Sequence, residues 1–257
     1  MQTSLDYSAK IVIVTGGGKG VGRGISERFL SRGATVVICG RNQPEQLPHA
    51  GENQAIFHSV DVRDADAIFA FVDHVATTYG RIDVLVNNAG GAPAADAATV
   101  SPRFSESIIR LNLLAPLNFS QACNTVMQKQ ASGGAIVNIA SVSAVRPSPG
   151  TAAYGAAKAG LVNLTTSLAV EWAPKVRTNA IIAGLIRTEQ AHLHYGDEAG
   201  IRAVADTIPL GRLALPEDIG DACVFLASDA ASYISGSTLT LHGGGEKPAY
   251  LSAANTE

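Results

Sequence analysis

The stretch Ile11-Val12-Ile13-Val14-Thr15-Gly16-Gly17-Gly18-Lys19-Gly20-Val21-Gly22 decides how the rest of the chain is read. Its apolar, β-branched start reads as a buried strand. Beyond it, Ile25, Phe29 and Leu30 recur at helical spacing, and Gly33 ends the helix. Strand, glycine turn and helix together make a phosphate site. Glycines let the backbone approach a pyrophosphate closely, and the helix N-terminus offers unpaired N–H groups at the positive end of its dipole. The glycines fall at 16, 20 and 22, a G-x-x-x-G-x-G spacing that differs from the commoner G-x-G-x-x-G. In this context the loop predicts nucleotide binding.

Working outward, Thr35 to Cys39 reads as a second strand running into Gly40, Arg41 and Asn42. A site for an unphosphorylated dinucleotide usually places a carboxylate here to hold the adenosine ribose hydroxyls. Gly40 stands there instead, followed by Arg41, and Lys19 can reach the same region. Two cations and no carboxylate suit a 2′-phosphate, so NADP(H) is favoured, with NAD(H) as the alternative. After a polar loop over 43–54, Ala55 to Val60 predicts a third strand ending at Asp61-Val62, where the aspartate can meet an adenine amino group. Asp64 to Tyr79 is helical and stops at Gly80. Val84 to Val86 is a fourth strand leading into Asn87-Asn88-Ala89-Gly90. Small residues there let a cofactor lie against the backbone, and Asn88 can bond neighbouring main chain.

Ser101-Pro102 starts a helix, cap then first-turn proline, that reads on to about Met127. Asn112 lies inside it, and Pro116 predicts a kink just beyond. If Asn112 faces a site, its carbonyl can hold a water that links Lys158 to solvent. Ala135 to Ile139 is a fifth strand, followed by Ser141 and, as a fallback, Ser143. A helix bearing Tyr154 and Lys158 runs to about Ala173. Arg177 to Ile182 is a sixth strand, followed by Ala183 to Thr188. Residues 189–211 read as a mobile flap over the crevice with few apolar repeats. Pro216 opens a helix to Ala227, and Thr238 to Leu241 is the last strand. Alternation of strands and helices predicts one parallel sheet covered on both faces, and one domain over 1–257 with a C-terminal tail from 243 to 257.

Composition excludes several classes. A formal charge of −3 supplies no basic field for nucleic acid or anionic lipid. No apolar run is long enough for a membrane span. Met1 to Lys10 lacks the basic and apolar regions of a signal peptide, and Cys39, Cys123 and Cys223 have no metal or redox spacing. Buried thiols in the cytoplasm are the expectation. His192 and His194 have no acidic or cysteine cluster beside them, so no metal is expected.

Tyr154-Gly155-Ala156-Ala157-Lys158 carries the chemistry. Residues four apart share a helix face, so a phenol and an ammonium can meet in one small volume. A phenol near pKa 10 is a poor proton carrier at neutral pH. A fixed cation beside it stabilises the phenolate and makes the tyrosine a usable acid or base. Ser141, at a strand's carboxyl end where open α/β sheets bind ligands, can hydrogen-bond the same substrate oxygen.

Taken together and in this order, the glycine loop from Thr15, Asn87-Asn88-Ala89-Gly90, Asn112, Ser141, Tyr154 and Lys158 resemble the short-chain dehydrogenase/reductase family, with a 3-oxoacyl reductase-like cast, across nearly the whole chain. The resemblance implies an α/β, doubly wound (Rossmann) sheet of about seven parallel strands. It implies proton transfer by Tyr154, carbonyl positioning by Ser141, a Lys158 that holds the nicotinamide ribose and tunes Tyr154, and a relay supported by Asn112. It implies cofactor contacts at Gly16, Lys19, Gly20, Val21, Gly22, Arg41, Asp61, Val62, Asn88, Ala89, Gly90, Gly184, Ile186 and Thr188, and a homodimer or homotetramer. One departure is Ala183-Gly184 where the family usually has Pro-Gly, which predicts a softer loop on the nicotinamide side. The implied activity is hydride transfer between NAD(P)(H) and a ketone or secondary alcohol. A mostly small or apolar pocket lining (Ala92 to Val100, Val142 to Thr151, the flap) suits a bulky apolar one, a 3-oxoacyl thioester or an alicyclic or steroid-type compound. The rival reading is a non-catalytic dinucleotide sensor or scaffold on the same fold. An epimerase or dehydratase relative fits less well, since those carry a separate substrate lobe.

Overall fold

The computed structural model describes residues 5–254; Met1 to Ser4 and positions 255–257 of the predicted tail lie outside them. From the N-terminus come β1 (Ile11–Thr15), α1 (Gly20–Ser31), β2 (Thr35–Gly40), a ribbon of β3 (His49–Ala50) and β4 (Asn53–Gln54), β5 (Ile56–Ser59) and α2 (Ala65–Tyr79). Then follow β6 (Val84–Asn87), α3 (Pro102–Ile109), α4 (Ala115–Met127), β7 (Gly134–Ser141), α5 (Ala152–Trp172) and β8 (Val176–Ala183). The chain continues through α6 (His192–Tyr195), α7 (Glu198–Asp206), α8 (Pro216–Ala227), β9 (Thr238–Leu241) and α9 (Ala249–Ala253). Among the described residues no helix is long and apolar enough to cross a membrane.

Seven strands form one sheet in the order β5-β2-β1-β6-β7-β8-β9, with every pairing parallel. The chain starts at β1, winds outward through β2 and β5, returns to β6 on the other side of β1, and winds outward again. That reversal opens a crevice beyond the carboxyl ends of β1 and β6, where open α/β sheets take their ligands. Strand alternation sends Ile11, Ile13, Val37 and Leu85 to one face, against Phe71 of α2 and Phe119 of α4. Val12, Val14, Val36 and Ile38 meet Ile25 and Phe29 of α1 and Ile219 of α8 on the other. Burial on both faces is why these strands read as unbroken apolar runs. Cys39, Cys123 and Cys223 are free and buried within these layers.

Polar bonds inside the core fix the elements that later carry the site. Asn87 Nδ2 donates to Asn138 Oδ1 at 2.8 Å and to Ser120 Oγ at 3.0 Å, and Asn138 Nδ2 donates to Thr165 Oγ1 at 2.9 Å. This chain of bonds ties β6, α4, β7 and α5 together.

Four expectations are adjusted. The predicted helix from Ser101 to Met127 is broken by a π-helical turn over Arg110–Leu114, and Pro116 sits in the first turn of α4 beyond it. The break precedes the proline and is centred on Asn112, whose Nδ2 donates to the Ile108 carbonyl at 2.9 Å. π-turns of this kind mark functional positions more often than chance. The polar loop at 43–54 contains the β3–β4 ribbon, too short to carry a hydrophobic pattern. The flap segment 189–211 holds α6 and α7 over a small core of Ala191, Ile201, Ile208 and Leu213. Finally, the loop after β8 is pinned despite losing its proline. Gly184 N–H donates to the Leu241 carbonyl at 2.8 Å, and Ile186 forms a bridge with Ala214.

Candidate active site

A groove of about 550 Å³ lies in the crevice. One wall is the glycine turn, with Gly16, Gly20, Val21 and Gly22; facing it are Asn88, Ala89 and Gly90. The two are stitched together. Thr15 Oγ1 accepts the N–H groups of Asn88 at 3.0 Å and Ala89 at 2.9 Å, while Asn88 Nδ2 donates to the Thr15 carbonyl at 2.9 Å. Position 22 has no room for a side chain, since a Cβ there would collide with the carbonyl oxygen of Gly16. The turn therefore presents bare backbone to the groove.

At one end the groove is lined by Lys19, Gly40, Arg41, Asp61, Val62 and Arg63. Both oxygens of Asp61 are held by Arg63, at 3.0 Å from Nε and 2.7 Å from Nη2. That hydrogen-bonded guanidinium keeps the carboxyl down at about 2. Asp61, predicted to meet an adenine amino group, is thus already bidentately paired, and its Oδ1 also accepts the Arg63 backbone N–H at 3.0 Å, which leaves only Oδ2 with a second lone pair to offer. The net character of this end is cationic.

At the other end Ser141, Tyr154 and Lys158 line the groove together, with Gly184, Ile186 and Thr188 beside them. Lys158 is buried; its Nζ donates to the Ile139 carbonyl at 2.7 Å and stands 5.7 Å from the centroid of the Tyr154 ring. Burial pushes its ammonium down to about 8. Tyr154 also differs from expectation. Desolvation of its hydroxyl end raises the phenol above its usual value, and a hydrogen bond with Ser141 opposes that shift. Ser143 turns away, accepting from Ser148 Oγ at 3.0 Å.

Asn112 is fully buried behind the groove wall. Its Oδ1 accepts the Gly91 N–H at 2.9 Å and its Nδ2 donates to the Gly91 carbonyl at 3.0 Å. A Cβ on Gly90 would stand 2.7 Å from Asn112 Oδ1 and 3.2 Å from Lys158 Nζ, so the amide and the ammonium flank the same glycine.

Lining residues that the sequence reading did not assign to the cofactor site include Arg63, Gly91, Leu111, Glu189, Gln190 and His194. A basic residue two places after a strand-end aspartate is a readable signal for Arg63. Glu189, Gln190 and His194 come from the flap, whose few apolar repeats do not orient them. A second cavity of about 210 Å³ adjoins through Tyr154 and is lined by Ala92, Pro93, Val100, Phe104 and Ile108 among others, with no charged side chain.

A family profile described as enoyl-(acyl carrier protein) reductase matches residues 16–246. The chain is 36% identical to a 3alpha-hydroxysteroid dehydrogenase of Mediterraneibacter gnavus, covering 91% of this chain and 96% of that one. It is 38% identical to a 3-oxoacyl-[acyl-carrier-protein] reductase of Chlamydia trachomatis, with the same two coverages. Among solved structures it resembles the ligand-free aldohexose dehydrogenase of Thermoplasma acidophilum, with a TM-score of 0.86, 32% identity and coverage of 99% and 98%.

Proposed function

From the premise that this chain belongs to the short-chain dehydrogenase/reductase family and is an NAD(P)-dependent dehydrogenase/reductase, we propose that it interconverts a bulky apolar ketone and its secondary alcohol with NADP(H). The groove suits a dinucleotide: bare backbone at the glycine turn, a helix N-terminus beside it and a cationic far end. Gly16, Gly20, Val21 and Gly22 would hold the pyrophosphate, Asp61 and Val62 the adenine, Asn88, Ala89 and Gly90 the underside, and Gly184, Ile186 and Thr188 the nicotinamide. When bound, the dinucleotide supplies or accepts the hydride.

Within this reading Tyr154 gives its proton to the carbonyl oxygen during reduction and takes one from the alcohol during oxidation. Ser141 donates to the same oxygen and fixes its position. Lys158 stabilises the phenolate as Tyr154 gives up its proton, and Asn112 holds the Gly90-Gly91 backbone beside that ammonium. The raised phenol favours the neutral acid, which suits the reductive direction. Preference for NADP(H) rests on Lys19, Arg41 and Arg63 and on the engagement of Asp61 by Arg63. The uncharged second cavity supports an apolar substituent on the substrate, of the 3-oxoacyl or alicyclic kind. A homodimer or homotetramer is proposed, with the exposed Leu114 and Val170 as apolar contacts, in a cytoplasmic setting that suits three free thiols.

The observation that carries the reading is the convergence of Ser141, Tyr154 and Lys158 on the groove that the glycine turn opens. Tyr154→Phe tests it, with turnover followed by nicotinamide absorbance on a panel of ketones and alcohols with both cofactors. Turnover is expected to fall by about 100-fold or more, on the scale of general acid–base catalysis, with dinucleotide binding retained. Undiminished turnover would refute the assignment. NADH binding more tightly than NADPH would refute the cofactor preference alone.

A further inference from the structure

The glycine turn already holds an anion. Gly20 N–H donates to Glu189 Oε1 at 3.0 Å, across 169 residues of chain. Helix α1 has no acidic residue in its first turn, and its N-cap, Lys19, provides no side-chain cap. The carboxylate that satisfies this end of the helix comes instead from the flap. Among the described residues Glu189 forms no ion pair with Lys or Arg. The flap segment is otherwise anchored on both sides of it, by the Arg187 N–H to the Ala214 carbonyl at 2.8 Å and by the Ala191 N–H to the Thr188 carbonyl at 3.0 Å.

A pyrophosphate and this carboxylate compete for the same positive helix end. We propose that Glu189 is a built-in competitor of the dinucleotide. Its carboxylate stands where the pyrophosphate binds, so cofactor entry must release the flap from the glycine turn, and cofactor departure lets it latch again. Glu189 thereby sets cofactor affinity without touching the reacting atoms. The inference rests on the dinucleotide reading of the groove, and goes beyond it by giving a flap carboxylate a part in setting cofactor affinity.

The test is equilibrium titration of NADPH and NADH into the wild-type protein, Glu189→Gln and Glu189→Ala, with adenosine 2′-monophosphate as a probe that lacks the pyrophosphate. Glu189 is exposed, so both variants should fold. Removing the carboxylate should tighten dinucleotide binding by about two- to fivefold, the affinity equivalent of one charge at a helix end. Alanine should do so at least as strongly as glutamine, which keeps an uncharged acceptor. Binding of the monophosphate should not change. Unchanged or weaker dinucleotide binding in both variants would overturn the proposal, as would equal tightening of the monophosphate. A wild-type protein that binds no dinucleotide at all would sink the reading of the groove instead, so the two failures are distinguishable.

Discussion

Glycine lines both the turn after β1 and the flap opposite it, but for different reasons. At Gly22 the space is full: an added Cβ would run into Gly16 backbone and into Asn88 Nδ2 at 2.5 Å. At Gly211 the space is open, with nothing within 4 Å, and the requirement is a φ of +67°. The first glycine is dictated by neighbouring atoms, the second only by the path of its own backbone. A wall specified by contact has no freedom to vary, whereas a wall specified by a few turns can exchange its side chains.

Gly22→Ala puts the comparison under the greatest load. The colliding partner is main chain within a stitched pair of turns, so it cannot swing aside as a flexible side chain would. Overpacking of this kind costs about 1–3 kcal/mol. Because the strain falls on the turn proposed to cradle the dinucleotide, cofactor affinity should drop by about 10- to 100-fold, with a lower melting temperature. Fluorescence titration with NADPH and thermal unfolding measure the two effects. Affinity near that of the wild type would mean the turn has slack, and the contrast with the flap would collapse.

The same contrast explains what was legible in the sequence. Strands β1, β2, β6, β7 and β8 are buried on both faces, so their apolar runs announce them, and the glycine turn follows one of them directly. Tyr154 and Lys158 share a helix face by spacing alone. The π-turn was not legible, because Asn112 in a helical pattern looks like any tolerated asparagine until its partners at Gly91 and Ile108 are known. The flap helix α7 does show Ile201, Val204 and Ala205 at helical intervals, and Ile208 continues the pattern just past its end, but over too few turns to outweigh the polar residues around them. Glu189 could not be read at all, since its partner is the bare backbone of Gly20. The direction of the Tyr154 shift failed for a related reason: spacing reveals the ammonium but not how dry the hydroxyl is.

Lys158 belongs to neither wall, and its titration gauges how dry the junction between them is. Its ammonium titrates near 8 in the folded protein, against 10.5 for an ordinary lysine. Below pH 8 both states hold the proton, and the cost of burying the charge is fully present. Between about 8 and 10.5 the unfolded chain binds more protons than the folded one, so this residue's contribution to stability rises with pH. Tyr154 and Cys39 push the other way, since burial raises their acid groups. The informative quantity is therefore the difference between wild type and Lys158→Met. From pH 7.5 to 10 that difference should shift in favour of the wild type by on the order of 1–3 kcal/mol in urea unfolding. Parallel pH profiles would place Lys158 in a wetter site than its burial indicates.

The smallest effect is expected at Gly211, where the flap's side of the contrast can be sharpened with two substitutions. Alanine fits the empty space but not the positive φ, and should cost about 1 kcal/mol. The Gly211 N–H donates to the Ile208 carbonyl at 2.8 Å, closing the turn that follows the small flap core. Strain there should loosen the segment locally, raising proteolytic cleavage within 206–213 severalfold and leaving NADPH affinity within about twofold of wild type. Asparagine tolerates positive φ far better than alanine, so Gly211→Asn should recover most of the protection. If asparagine is no better than alanine, a contact and not the backbone angle constrains the position. The flap would then be built by the same rule as the glycine turn.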